Sequence, residues 1–112
     1  MSRRRGENMA KQLSAEMARL YLSDVPYENH FWVCDNQRLY NLEDLARALK
    51  SMNEDVYGYH VNASKNDFYA WVVEVVKDTT LADSLKKAKR REELLKKLEQ
   101  RIAKLKKTAC VQ

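Results

Sequence analysis

From residue 9 onward, Met9, Leu13, Met17, Leu20 and Tyr21 recur three or four positions apart. That spacing keeps side chains on one face and predicts an amphipathic helix of about three turns. Pro26 ends it, because proline has no N–H to donate and pushes Val25 out of helical geometry. The period then changes. In "HFWVCDNQRLY", Phe31 and Val33 fall on one face and Trp32 and Cys34 on the other, with Asp35-Asn36 as a turn candidate before Leu39-Tyr40. This predicts a very small hairpin near residues 31–40. Two short strands are marginal alone, so helices must cover them.

Asn41 is a good N-cap and Asp44 its reciprocal acid, followed by an apolar stripe of Leu42, Leu45, Ala46, Leu49 and Met52. "NEDVYGYHV" adds a helical turn or two, burying Val56, Tyr57 and His60 or Val61. The next helix runs from Asn66 to about Lys77, with Phe68, Trp71, Val72, Val75 and Val76 at core spacing. Thr79 or Thr80 is the expected cap of the last helix, with Asp83 in its first turn, and nothing breaks the pattern from Leu81 to Lys107. A helix of that length spans about 40 Å, against roughly 30 Å for the remaining body. Its basic half is therefore expected to project.

The predicted fold class is mainly α: a small helical domain with a minor β-hairpin and a long basic C-terminal helix. Residues 1–8 read as a disordered basic arm, 9–85 as the helical domain, 81–107 as the basic amphipathic helix and 108–112 as a tail. The presence of only two glycines and one proline supports this, since turn-rich sheet proteins use both as punctuation. A hydrophobic share of 45% with 33% charge suits a globular chain.

Charge changes the picture more. The net +5 combines +3 from residues 3–5, −6 from residues 6–85 (7 bases, 13 acids) and +8 from residues 86–107 (11 bases, 3 acids). A basic end on an acidic body points to an anionic partner or to association of unlike ends. Cys34 and Cys110 are far apart and form no CxxC pair, so neither a disulfide framework nor a zinc module is indicated. The arginines at the start precede no apolar run, which argues against a secretory signal, and no stretch is apolar enough for a membrane span. The expected location is cytoplasmic, with no membrane partner.

The middle of the chain carries a more particular pattern. Phe31, Val33, Asp35 and Leu39, then Leu42, Leu45 and Leu49, then Tyr57, His60, Val61, Asn66, Asp67, Phe68, Trp71 and Val72, followed by Leu81-Ala82, together resemble a small, uncharacterised helical domain family found mainly in archaea and some bacteria. The resemblance covers about residues 31–85. It implies a compact fold and no established activity. Asn36 stands where the family pattern leads one to expect glycine.

"YHVNASKNDFYAW" also holds the residue types of a nucleophilic site, with Ser64, His60 and Asp67 as nucleophile, base and orienting acid. Against that, Ser64-Lys65-Asn66-Asp67 reads as a capping box, placing Asp67 at the positive end of a helix dipole. His60 follows Val56 and Tyr57 at helical spacing and is positioned to brace the corner by bonding Asp67 or a carbonyl; Trp71 falls in the core. No glycine-rich oxyanion elbow accompanies them. The expectation is a structural corner of His60, Ser64, Asp67 and Trp71, no catalytic residue, and no metal or cofactor. Among the aromatics, Tyr59 and Tyr69 are the expected exposed ones.

The basic segment "KKAKRREELLKKLEQRIAKLKK" has two faces. Leu94, Leu95, Leu98, Ile102 and Leu105 make an apolar seam of two heptads, a candidate face for a homodimer or a partner helix. Lys86, Lys87, Lys89, Arg90, Arg91, Lys96, Lys97, Arg101 and Lys104 form the candidate nucleic-acid-binding surface. Ion pairs Glu92–Lys96 and Glu93–Lys97 are expected along the helix, each worth a few tenths of a kcal/mol. They offset two bases only. The leading expectation is a non-enzymatic protein that grips RNA or DNA phosphates, free or in a ribosome or nucleoid; the alternative is an interaction module working through the leucine seam.

Overall fold

The computed structural model describes residues 13–110. The basic arm expected over residues 1–8 and the helical start at Met9 lie outside the described residues. The first helix, α1 (Ala15–Leu22), is capped by Ser14, whose hydroxyl accepts the Met17 N–H at 3.0 Å. Its packed face centres on Ala18, with Tyr21 and Leu22 half-buried, while Met17 and Leu20 of the expected stripe remain exposed. After Pro26 a single 3-10 turn, Tyr27–Asn29, leads into the hairpin.

Strands β1 (Phe31–Trp32) and β2 (Arg38–Leu39) pair antiparallel, with Phe31 opposite Leu39 and Trp32 opposite Arg38. Three residues close the loop: the Asn36 N–H donates to the Val33 carbonyl and the Val33 N–H to the Gln37 carbonyl, both at 2.8 Å. Asn36 has φ 76°, the left-handed conformation that ends such a loop. Glycine enters that region at no steric cost, and asparagine is the next most tolerant residue. The position expected to be glycine thus keeps the geometry that glycine serves.

Helix α2 (Leu42–Ser51) begins as expected. The Asn41 side chain accepts the Asp44 N–H at 2.8 Å, and the Asp44 carboxylate accepts the Tyr40 N–H at 2.9 Å. Helix α3 (Glu54–His60) is capped by Asn53 and buries Tyr57 and His60. Helix α4 (Asp67–Trp71) corrects one expectation: its cap is Asn66, which accepts the Tyr69 N–H at 3.0 Å, and not Ser64. The Asn66 amide also donates to the Leu85 carbonyl at 3.3 Å, so this cap ties two helices together. From Val72 to Val76 the helix widens into a π-turn, closed by Lys77 at φ 71° with its N–H on the Val72 carbonyl. Val75 and Val76 are consequently only half-buried.

Asp78 caps α5 (Thr79–Lys87), in place of Thr79 or Thr80; its carboxylate accepts the Leu81 N–H at 3.2 Å. The largest correction follows. The helix expected to run unbroken to Lys107 stops at Lys87, and a second helix, α6, spans Arg91–Ala109. Ala88 and Arg90 take extended conformations with no glycine or proline between them. Tertiary contacts satisfy the backbone at the break. The Glu93 carboxylate accepts the Lys89 N–H at 3.2 Å, the Tyr57 hydroxyl donates to the Lys89 carbonyl at 3.4 Å, and the Ala88 methyl is buried. Burial, reinforced by Glu54, Glu92 and Glu93, pushes the Tyr57 phenol up to about 12, so it remains a donor.

The turn at residues 88–90 lays α6 along α1, α2 and α5 instead of projecting it. Leu94, Leu98 and Leu105 become fully buried and Ile102 nearly so, sharing one core with Leu42, Leu45, Leu49, Phe68, Val72, Leu81 and Leu85. Each buried leucine contributes about 1.5–3 kcal/mol by leaving water, so returning this face to the body outweighs the gain from one straight helix. The architecture is mainly helical, with a two-stranded hairpin and a long C-terminal helix. No helix of the described residues is long and apolar enough to cross a membrane.

Candidate nucleic-acid interface

The corner holding His60 is a closed network. His60 Nε2 accepts the Cys34 N–H at 3.0 Å, and Nδ1 lies 2.9 Å from Asp67 Oδ2. A backbone N–H only donates, so Nε2 carries the lone pair and Nδ1 donates its proton to Asp67. Both ring nitrogens are therefore used in a neutral imidazole that is 3% exposed. The ring packs against Phe31 and Phe68, joining hairpin, α3 and α4. Asp67 also takes the Lys65 ammonium at 2.9 Å. Burial pushes the Asp67 carboxyl up, but the bonds from His60 and Lys65 outweigh it and hold the group below the usual carboxylate range.

Ser64 stands apart from this network, its N–H turned to the Asn62 side chain at 2.9 Å. Trp71 is buried against Phe31, with its indole N–H on the Asn29 carbonyl at 2.9 Å. The corner fixes three elements and leaves no imidazole nitrogen free to take a substrate proton. Among the described residues no group of three or more His, Cys, Asp or Glu side chains is placed to hold a metal ion.

The basic residues divide in two. Arg101 is a core residue in effect: Nε and Nη2 bind the Asp78 carboxylate at 2.7 and 2.9 Å, with side chains 11% and 1% exposed. Arg91 bridges Glu54 at 3.0 Å and donates to the Leu49 carbonyl at 2.8 Å. These two arginines hold α6 to the body. Lys86, Lys87, Lys89, Arg90, Lys96, Lys97 and Lys104 are exposed, and none is ion-paired to a carboxylate among the described residues.

The expected pairs Glu92–Lys96 and Glu93–Lys97 do not form. Glu93 turns back to the Lys89 N–H, and two ion pairs cross between α6 and α2, Lys50–Glu99 at 3.2 Å and Lys106–Glu43 at 2.8 Å. Glu99 is thereby engaged on the α2 side of α6. Lys97 and Lys104, seven residues apart, line up on its other side with about 10 Å of rise between them.

The leucine seam proposed for a partner helix is occupied by the chain's own core. Leu94, Leu98, Ile102 and Leu105 are buried and Leu95 is half-buried. The heptad pattern was real, but its complement is α1, α2 and α5. Of the aromatics expected to be exposed, Tyr59 is open and lies under the Lys65 ammonium at 4.5 Å, while Tyr69 is half-buried beneath Lys86. The sequence reading missed Tyr27 and ranked Trp32 and Tyr40 below Tyr59 and Tyr69, yet all three are exposed on or beside the hairpin. The signal was present: if Phe31 faces the core, Trp32 must face out. Comparison of the chain with protein-family models, curated proteins and solved structures finds no match.

Proposed function

We propose that this is a non-enzymatic nucleic-acid-binding protein whose α5–α6 surface contacts the phosphate backbone of RNA or DNA, free or within a larger assembly such as a ribosome or nucleoid. The observation that carries the reading is the set of seven exposed cations named above, none of them ion-paired to a carboxylate among the described residues. Such a surface is self-repelling and gains from a polyanion, which releases counterions as it docks. The sequence carries no base-reading motif, so the recognition in this reading is of backbone and shape. Residues 31–85, read as the small helical domain they resemble, are the platform that holds the surface rigid.

The test is fluorescence anisotropy of labelled single-stranded and duplex oligonucleotides at low salt. Replacing Lys89, Arg90, Lys97 and Lys104 together by glutamine weakens binding of every sequence, because the contacts carry no base information. Equal affinity of that variant and the parent chain would sink the reading.

A further inference from the structure

We infer that the outer face of the hairpin is a stacking site for an unpaired nucleotide of single-stranded RNA or DNA, with Trp32 and Tyr27 taking the base and Arg38 the phosphate. The inference rests on the nucleic-acid reading above and narrows it to a strand whose bases are free.

The geometry begins with strand register. Phe31 and Leu39 turn into the core, so their neighbours Trp32 and Arg38, paired across the hairpin, turn out. The Arg38 guanidinium lies over the Trp32 ring, 4.4 Å from its centroid, and 5.2 Å from the Tyr27 centroid, and Nη1 donates to the Tyr27 hydroxyl at 3.0 Å. His30 packs edge-on against both Tyr27 and Tyr40, with centroids 4.8 and 3.9 Å away. Tyr27, His30 and Tyr40 are thus held by one another and Trp32 by the Arg38 guanidinium, yet Trp32 is 54% and Tyr27 67% exposed.

The fold buries Trp71 but leaves the Trp32 indole more than half exposed beside the Arg38 guanidinium. The chemistry of the patch selects its ligand. It has flat aromatic faces and a guanidinium with no carboxylate partner among the described residues. Aromatic faces stack any base, and arginine adds both cation–π attraction and a fork of donors for phosphate. A duplex hides its base faces within its own stack, so only an unpaired strand can use the site. Fixed rings also lower the ordering cost of binding.

The experiment compares a short oligoadenylate with a duplex of the same length. Binding of the single strand quenches tryptophan fluorescence saturably in the parent chain and not in Trp32→Ala, since Trp71 is buried. Trp32→Ala lowers single-strand affinity roughly 5- to 100-fold and leaves duplex affinity and the circular dichroism spectrum unchanged; Trp32→Tyr retains most of the single-strand affinity. If Trp32→Ala binds the single strand as the parent does, the stacking site is wrong while the phosphate reading stands. If it loses single strand and duplex equally, Trp32 acts through the fold and the inference fails. If the parent chain binds neither, both readings fall. A doubled mass in light scattering that Trp32→Ala abolishes, with oligonucleotide binding unchanged, assigns the patch to a second copy of the chain and overturns the inference.

Discussion

Arg101→Met is the substitution that most sharply separates the roles of the basic residues. The Asp78 carboxylate is 1% exposed and has two partners, the Arg101 fork and the Leu81 N–H it caps. Removing the guanidinium leaves a buried charge with one neutral donor, which costs about 3–5 kcal/mol. For a domain of this size that is a large part of the total stability and lowers Tm by about 12 °C or more. Urea unfolding followed by circular dichroism measures it, with Lys97→Met as the exposed control, expected within about 0.5 kcal/mol of the parent. The double variant Asp78→Asn/Arg101→Met should recover much of the loss, because no charge is left buried and asparagine still caps α5. Nucleic-acid affinity, measured well below the variant's Tm, should be unchanged. A cost under about 1 kcal/mol would refute the reasoning, since the pair would then behave as a solvated surface bridge.

Three further outcomes follow from the same geometry. Lys77→Gly should stabilise the protein by about 0.5–1 kcal/mol in urea unfolding, because lysine at φ 71° carries a left-handed penalty that glycine avoids. Asp67→Asn should reduce stability at neutral pH, with the gap closing as pH falls through and below the ordinary carboxylate range: the folded state holds Asp67 below its unfolded value, so its contribution is present above the unfolded pKa and lost on acidification. Parallel urea titrations across that range check it, and a pH-independent gap contradicts it. Leu98→Glu should abolish the cooperative unfolding transition, since it places a charge at a fully buried position; a variant that stays folded and merely halves its mass in light scattering would restore the partner-helix reading.

Much of the fold was legible because periodicity reports burial directly. The stripe of α2, the Asn41 cap, the alternation of the hairpin and the Phe68, Trp71 and Val72 part of the α4 stripe all act within a few residues and appear as read, while Val75 and Val76 fall in the π-turn and are only half-buried. The break at residues 88–90 was not legible. It contains no helix breaker, and what stabilises it is Tyr57, from another helix, together with the core that α6 reaches by turning. The same blindness hid the partners of Arg101 and Arg91, because nothing local shows that Asp78 and Glu54 lie across from them. Asp78 outcompeted Thr79 and Thr80 as a cap because a carboxylate there also meets Arg101. Ser64 yielded to Asn66 because the latter's amide reaches both Tyr69 and Leu85. Long-range partners, not local propensity, decided each case.

The most direct test of the proposed function is the salt dependence of oligonucleotide binding by the unmodified chain. If four to six of the exposed lysines and arginines meet phosphates, log affinity should fall linearly with log salt at a slope of about −3 to −5. An affinity that does not change with salt, or no binding even at low salt, would contradict the account.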